Sequence, residues 1–304
     1  MITRIGHMAF RVRDLDASVE FLHDTLGLVE TERHAGVSYL TCNERHHELM
    51  LISDQRRTGY DHVGLEVENE TALQEASTLV TRAGGEIIGA IYDGEPGIDR
   101  ALRVLAPGGH VFKLFIGMHR AESPASDDRP LKFEHVSLKT TRPRLLEAFL
   151  RDGLGFRLSD RMGRVASWWH CDEDHHGMAV TFGPRSELHH YAWTMRDLNA
   201  IGRVADRLQR NRDQRLVWGP SRHGPGNNMF AYFHDHDQAM IELCADIARM
   251  TDYAPHTWPS GSKTLNLWGG PPPPRFILTG TQPVAPQASK SAYATQSADR
   301  AAAA

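Results

Sequence analysis

The stretch Phe21-Leu22-His23-Asp24-Thr25-Leu26-Gly27 returns as Phe149-Leu150-Arg151-Asp152-Gly153-Leu154-Gly155, an offset of 128. A repeat of this kind decides a fold before any single element does, because each copy must build the same unit. Working outward, Cys42 matches Cys171 and His46-His47 matches His175-His176, both at an offset of 129, and His62 matches His190 at 128. The chain is a tandem duplication with single-residue changes in loops. Each half divides again, since an apolar strand-like run opens every quarter: Ile5 to Val12, His62 to Val67, Phe133 to Lys139, and His190 to Met195. Behind each run comes a helix-length stretch with apolar residues three and four apart, such as Val19, Leu22 and Leu26, or Leu198, Ile201, Val204, Ala205 and Leu208. Short β-branched and aromatic runs follow, punctuated at Gly84-Gly85 and Gly219-Pro220, as in a meander of strands. The repeating unit is βαβββ, the class is α+β, and two units make each of two tandem modules.

A chain of 304 residues has room for two domains, each able to bury an apolar core of its own. Residues 1–118 read as the N-terminal module, 119–130 as a polar connection, 131–250 as the C-terminal module and 251–304 as an extension. Past Gln282 the extension is Ser, Ala, Thr and Gln, too poor in apolar surface to offset its ordering entropy, so about the last 20 residues are expected to be disordered. Trp258 and Trp268 are expected to pin the earlier part of the extension onto the body. The formal charge is -4, with 34 basic and 38 acidic residues dispersed along the chain, so there is no polybasic stripe for nucleic acid or an anionic membrane. The start lacks a charged segment followed by an apolar one, and no run of 18 apolar residues occurs, so a cytoplasmic chain acting on small molecules is expected. Three scattered cysteines suit neither a disulfide framework nor a CxxC zinc site. Histidine is the unusual count, 18 in all, and suggests ligand work.

Comparing the halves turns the duplication into a functional argument. His7 corresponds to His135 and His62 to His190, but Lys113 falls opposite Glu242, so only the second half offers two imidazoles and a carboxylate. Two neutral histidines and one carboxylate leave several coordination positions open, an arrangement suited to Fe(II) or Mn(II) with dioxygen or substrate. A lysine at that point repels a cation, so the first module is expected to hold no metal. A single histidine at a strand start is more often a satisfied core or surface group than a ligand. Three matched positions with the acid in one half only are hard to explain by packing.

The run Arg222-His223-Gly224-Pro225-Gly226-Asn227-Asn228-Met229-Phe230-Ala231-Tyr232-Phe233, leading to Glu242, is similar in its His, Tyr and Glu spacing to the type I extradiol ring-cleaving dioxygenases of the vicinal oxygen chelate superfamily. This family includes catechol 2,3-dioxygenase, 2,3-dihydroxybiphenyl 1,2-dioxygenase and homoprotocatechuate 2,3-dioxygenase, and the resemblance spans about residues 1 to 250. It implies that each module closes into a half-open barrel, and that His135, His190 and Glu242 hold Fe(II), with Mn(II) an open alternative. It further implies that His176 is the acid-base group and that His223 and Tyr232 bond the substrate oxygens. Asn227 resembles an asparagine that some members place near substrate and dioxygen, or it holds a turn. The chemistry is compatible: an imidazole titrates near neutrality, and a phenol is a suitable donor to an anionic oxygen. The implied reaction is extradiol cleavage of a catechol with O2 to a 2-hydroxymuconic-semialdehyde-type product, as in aromatic-compound degradation, by a homo-oligomer of four or more subunits. Cys244, two residues after Glu242, reads as small-residue packing. Two departures stand out: Asp235-His236-Asp237-Gln238 replaces the family's usual tight turn, and Trp218 stands where carboxylate-recognising members have arginine. Trp168, Trp169, Trp193 and Trp218 suggest an aromatic pocket. The alternatives are a glyoxalase- or epimerase-like metal enzyme, or a vestigial binding protein, of the same fold.

Overall fold

The structure is a computed structural model that describes residues 2–122, 129–210 and 215–284. The first half contains β1 (Ile2–Val12), α1 (Leu15–Leu26), β2 (Val29–His34), β3 (Val37–Thr41), β4 (Leu49–Ser53), β5 (Gly59–Val67), α2 (Glu70–Arg82), β6 (Glu86–Ile87), β7 (Tyr92–Glu95), β8 (Ile98–Leu105) and β9 (Val111–Ile116). The second contains β10 (Lys132–Thr140), α3 (Pro143–Asp152), β11 (Arg157–Met162), β12 (Ala166–His170), β13 (Met178–Phe182), β14 (Glu187–Thr194), α4 (Leu198–Arg210), β15 (Trp218–Arg222), β16 (Met229–His234) and β17 (Met240–Ala245). Each half is therefore two βαβββ units, with the short β7 added to the second unit.

Each half forms one sheet, in the order β2-β3-β4-β1-β5-β9-β8-β6 in the first and β15-β16-β17-β14-β10-β13-β12-β11 in the second. The opening strands of the two units sit side by side at the centre, antiparallel, as β1 with β5 and β10 with β14. Residues at the matched histidine positions are thus brought together from strands far apart in sequence. Helices pack between the halves, α1 meeting α4 and α2 meeting α3, and their starts are locally encoded: Asp14 caps α1 by accepting from the Ala17 amide at 3.1 Å, and Asn69 caps α2 by accepting from the Ala72 amide at 2.9 Å. Gly27 takes the left-handed conformation that ends α1, with φ 72°.

The two modules do not keep separate cores. One apolar cluster runs from Phe10 and Leu22 through Phe112 and Phe149 to Tyr191 and Leu243, and the Phe10 and Tyr191 rings meet across the halves at 4.9 Å. Helices placed on equivalent faces leave apolar surface that only the other copy covers. Polar ties reinforce the junction: the Phe133 amide donates to Glu48 Oε1 at 3.2 Å and Arg207 Nε donates to the Thr25 carbonyl at 2.7 Å.

The extension adds β18 (His256–Trp258), which pairs in parallel with β11, then the short helices α5 (Ser262–Leu265) and α6 (Pro274–Leu278). Trp258 pins it as expected, its indole donating to Asp160 Oδ2 at 2.7 Å. Trp268 does not: its side chain is half exposed, and only its backbone carbonyl is used, accepting from Ser221. The polar connection at 123–128 and the final segment from 285 lie outside the described residues. Among the described residues, no helix is long and apolar enough to cross a membrane.

Candidate metal centre

Strand alternation puts His135, Ser137 and Lys139 on one face of β10. Irregular register at Phe133/Val136 and at Ser137/Leu138 re-aims the strand so that His135 and His190 of β14 point into the same space. Glu242 arrives on β17, paired with Ala192 on one side and Tyr232 of β16 on the other. His135 Nε2 lies 3.2 Å and His190 Nε2 lies 3.1 Å from Glu242 Oε2, and the two nitrogens are 3.3 Å apart. All three side chains are buried.

The protonation pattern shows that this cluster fits a cation. His189 Nε2 donates to the Phe276 carbonyl at 2.9 Å, so its Nδ1 is a lone pair, which must receive its hydrogen bond from His190 Nδ1 at 2.7 Å. Burial holds His190 below its ordinary pKa and hence neutral, which leaves a bare Nε2 facing a carboxylate oxygen. Burial by itself would push the Glu242 carboxyl up, but the neighbouring His135 imidazole outweighs it and holds the group well below the carboxylate range. A bare imidazole nitrogen and an anion within hydrogen-bond distance repel one another, an arrangement that a positive ion among them relieves.

The remaining expected residues are brought to the same place, with one exception. The His176 ring lies 4.4 Å from that of His135, centroid to centroid. Tyr232 Oη donates to Glu242 Oε2 at 2.7 Å and stands 2.9 Å from His223 Nε2. His223 stacks on Phe230 at 3.9 Å, and its Nδ1 donates to the Leu265 carbonyl at 2.5 Å, so Nε2 is the free lone pair. Burial drives His223 down to about 4 and, together with Glu242, pushes the Tyr232 phenol well up, so both are neutral near pH 7. Asn227 is not brought in. It is exposed, with φ 51° in the turn after Gly224, and so takes the second of the two roles open to it. Its neighbour Asn228 faces inward, its Nδ2 donating to Glu242 Oε1 at 3.0 Å, and was missed because adjacent residues of a turn cannot be assigned a face from spacing alone. His189 was also missed, although its signal, the doublet His189-His190, is legible.

These groups open onto a cavity of about 190 Å³. Its far walls are apolar, from Met162, Val165, Trp168, Trp218, Leu265 and Phe276. Two of the four expected tryptophans do not line it: Trp169 and Trp193 point to the opposite sheet face and pack in the main core, since each follows by one residue or three a side chain that faces the cavity. Lys139 lies on the wall, but its ammonium donates to the carbonyls of Ile277, at 2.9 Å, and Thr279. The Asp235 turn closes with the Gln238 amide donating to the Asp235 carbonyl at 3.1 Å, and pairing of β16 with β17 is unbroken beyond it. Cys244 is fully buried beside Phe230 in register.

In the first half, His7 and His62 approach to 3.1 Å, but Lys113 Nζ, fully buried, donates to the nearly buried Glu95 Oε1 at 2.5 Å. A tethered ammonium takes the place of a mobile cation.

With this geometry in hand, the likenesses to known proteins are informative. The profile of the Glyoxalase/Bleomycin resistance protein/Dioxygenase superfamily matches residues 4–114 and 132–243. The chain is 24% identical over 257 residues to the manganese-dependent 2,3-dihydroxybiphenyl 1,2-dioxygenase of Geobacillus genomosp. 3, covering 77% of this chain and 82% of that protein. It is 26% identical over 315 residues to metapyrocatechase 2 of Cupriavidus necator, covering 91% and 92%. Among solved structures, homoprotocatechuate 2,3-dioxygenase from Arthrobacter globiformis superposes with a TM-score of 0.87 at 25% identity, over 94% of both chains. The Mn(II)-bound glyoxalase from Novosphingobium aromaticivorans superposes with 0.84 at 24% identity, over 93% and 95%. The second of these shows that the fold by itself does not choose the chemistry.

Proposed function

Because the chain belongs to the Glyoxalase/Bleomycin resistance protein/Dioxygenase superfamily, we propose that it opens catechol-type rings with dioxygen beside the hydroxyl-bearing carbons. The observation that carries this is the convergence on one apolar cavity of a two-histidine, one-carboxylate set with His176 and the His223–Tyr232 pair. The relatives named as ring-cleaving dioxygenases support it. His135, His190 and Glu242 would hold Fe(II) or Mn(II), whose donor preferences they match. Such an ion supplies positive charge that draws both diol oxygens together and a path for electrons from ring to dioxygen.

The chain's own residues do the rest. His176 takes a hydroxyl proton from the diol and returns it as the ring opens. Tyr232 Oη has one hydrogen, given to Glu242 Oε2 in the structure, which turns toward a substrate oxygen, while His223, fixed by Leu265, presents Nε2 as an acceptor for a substrate hydroxyl. Trp168, Trp218 and Phe276 exclude water. Both atoms of O2 enter the product, so an unsubstituted catechol gives 2-hydroxymuconic semialdehyde and nothing else. With Lys139 committed to backbone carbonyls and the remaining wall apolar, the diol accepted best carries an aryl or alkyl substituent rather than a carboxylate.

The test is oxygen uptake and visible absorbance with iron- and manganese-loaded protein, using 2,3-dihydroxybiphenyl, alkylcatechols and a carboxylated catechol. A yellow product with one O2 consumed per diol is expected, strongest for apolar substituents and abolished with metal content in Glu242→Ala. No uptake across the panel from metal-replete protein would sink the reading.

A further inference from the structure

Behind His176 stands a second imidazole that ring opening as described above does not use. His175 Nδ1 lies 3.0 Å from His176 Nδ1, with both rings buried. On its other side, His175 Nε2 lies 3.2 Å from Asp160 Oδ2, within reach of the charge although off the line of an ideal N–H bond. Asp160 is itself fixed from the extension: Tyr253 Oη donates to Oδ2 at 2.6 Å, Trp258 Nε1 to Oδ2 at 2.7 Å, and the His256 amide to Oδ1 at 2.7 Å. Three donors on one carboxylate keep it an anion.

For a neutral His175 the tautomers follow by elimination. A contact between two Nδ1 atoms needs one hydrogen, carried by either ring. If His175 carried it, a neutral His175 would turn a bare Nε2 toward the Asp160 carboxylate, lone pair against anion. The carboxylate therefore selects His175 with its hydrogen on Nε2, and the shared hydrogen belongs to His176 Nδ1. That leaves His176 Nε2 bare. The same arrangement recurs in the first half, where Glu32 Oε2 lies 3.1 Å from His46 Nε2 and His46 Nδ1 lies 2.9 Å from His47 Nδ1. Glu32 and Asp160 are 128 positions apart, as the repeat requires, so the series of carboxylate, imidazole and imidazole belongs to the unit and not to one accidental turn. In the second half its end, His176, opens on a cavity.

We propose that His175, backed by Asp160, is a positioning residue that holds His176 with Nδ1 protonated and Nε2 free, as a base aimed at the diol. This rests on the acid-base role assigned to His176 above. When His176 Nε2 takes the diol proton, the Nδ1 hydrogen lets the charge spread toward His175 and Asp160. When the proton is returned, both rings are neutral again, with no net gain or loss. Without His175, the His176 ring is free to adopt the other tautomer, in which Nε2 already carries a hydrogen and cannot accept one.

The test reads the tautomer and turnover separately. In zinc-loaded, diamagnetic protein labelled with 15N-histidine, long-range proton–nitrogen spectra, assigned with a His176→Gln variant, should show His176 protonated at Nδ1 and bare at Nε2. In His175→Phe that preference should vanish, and kcat should fall by about 10- to 100-fold with KM and metal content within about twofold. His175→Asn, whose carbonyl oxygen stands where Nδ1 stood, should restore Nδ1 protonation and most of the turnover. A wild-type His176 protonated at Nε2 overturns the proposal, and so does undiminished kcat in His175→Phe, or an equal loss in Phe and Asn variants. The wild-type spectrum needs no variant of His175, so a Phe variant that fails to fold leaves the question decidable. The expected tautomer in a protein that opens no catechol would refute ring opening and leave the positioning intact; the opposite tautomer with full turnover would do the reverse.

Discussion

Lys113 and Glu242 sit at equivalent points of two equivalent sheets, and their opposite charges distinguish the two modules. In the second half a carboxylate completes an anionic pocket for a cation; in the first an ammonium is built in, and Glu95 neutralises it. Because the ammonium is fully buried and the carboxylate nearly so, removing one leaves an uncompensated charge. Lys113→Met is expected to cost about 3–5 kcal/mol, read from urea unfolding, while ring-opening activity of the folded fraction persists. A loss under about 1 kcal/mol would mean that Glu95 finds water or another donor. Tyr232 offers a matching test in the active half. Its hydroxyl touches both Glu242 and His223, so Tyr232→Phe should lower kcat by about 100-fold with metal stoichiometry unchanged. Loss of metal instead would assign the phenol to holding Glu242.

At the scale of elements, strands place the ligands and the extension finishes the site. β10, β14 and β17 deliver one ligand each. The extension supplies none, yet the Leu265 carbonyl fixes the His223 tautomer, the Phe276 carbonyl fixes His189, and the Phe276 side chain forms part of the cavity wall. A chain ended after Met250 should therefore still bind one metal ion. Its KM for apolar catechols should rise by about 10- to 100-fold, since burying a Phe side chain is worth about 1.5–3 kcal/mol. An unchanged KM would show that the wall is dispensable.

For the whole molecule, the high histidine content has a thermodynamic consequence. Burial holds His62 at about 3 and His110 at about 4, and holds His7 and His47 well below their ordinary value. All four stay neutral when folded but take up a proton below about pH 6.5 when unfolded, so their effect is to destabilise as pH falls. Two buried carboxyls act the other way. Glu134 and Asp235 are pushed up to about 7 by burial and so bind protons in the folded state first, adding stability as pH falls toward the ordinary carboxyl range. These four imidazoles outnumber the two carboxyls, and His170 and His223, both held at about 4, add to their side. The unfolding free energy should therefore drop by at least about 3 kcal/mol per pH unit between pH 6 and 5, measured by denaturant titration at each pH. A flat profile across that range would mean that the histidines are protonated in place.

The sequence by itself determined the duplication, the βαβββ unit, and the contrast of Lys113 with Glu242, because a repeat and its exceptions are properties of order along a chain. Alternation along strands then put His135, His190 and Glu242 within reach of one another once the repeat was recognised, while His223 and Tyr232 were legible through the similarity of their spacing to that of the ring-cleaving dioxygenases. Tertiary structure decided the rest. The inward turn of Asn228 in place of Asn227 depends on one left-handed residue in a turn, and the division of the tryptophans depends on which sheet face each strand position occupies. The core shared between modules, the carbonyls lent by the extension, and the series from Asp160 through His175 to His176 depend on contacts between segments with no fixed spacing. Local pattern encodes which face a residue takes; only the folded chain decides what that face meets.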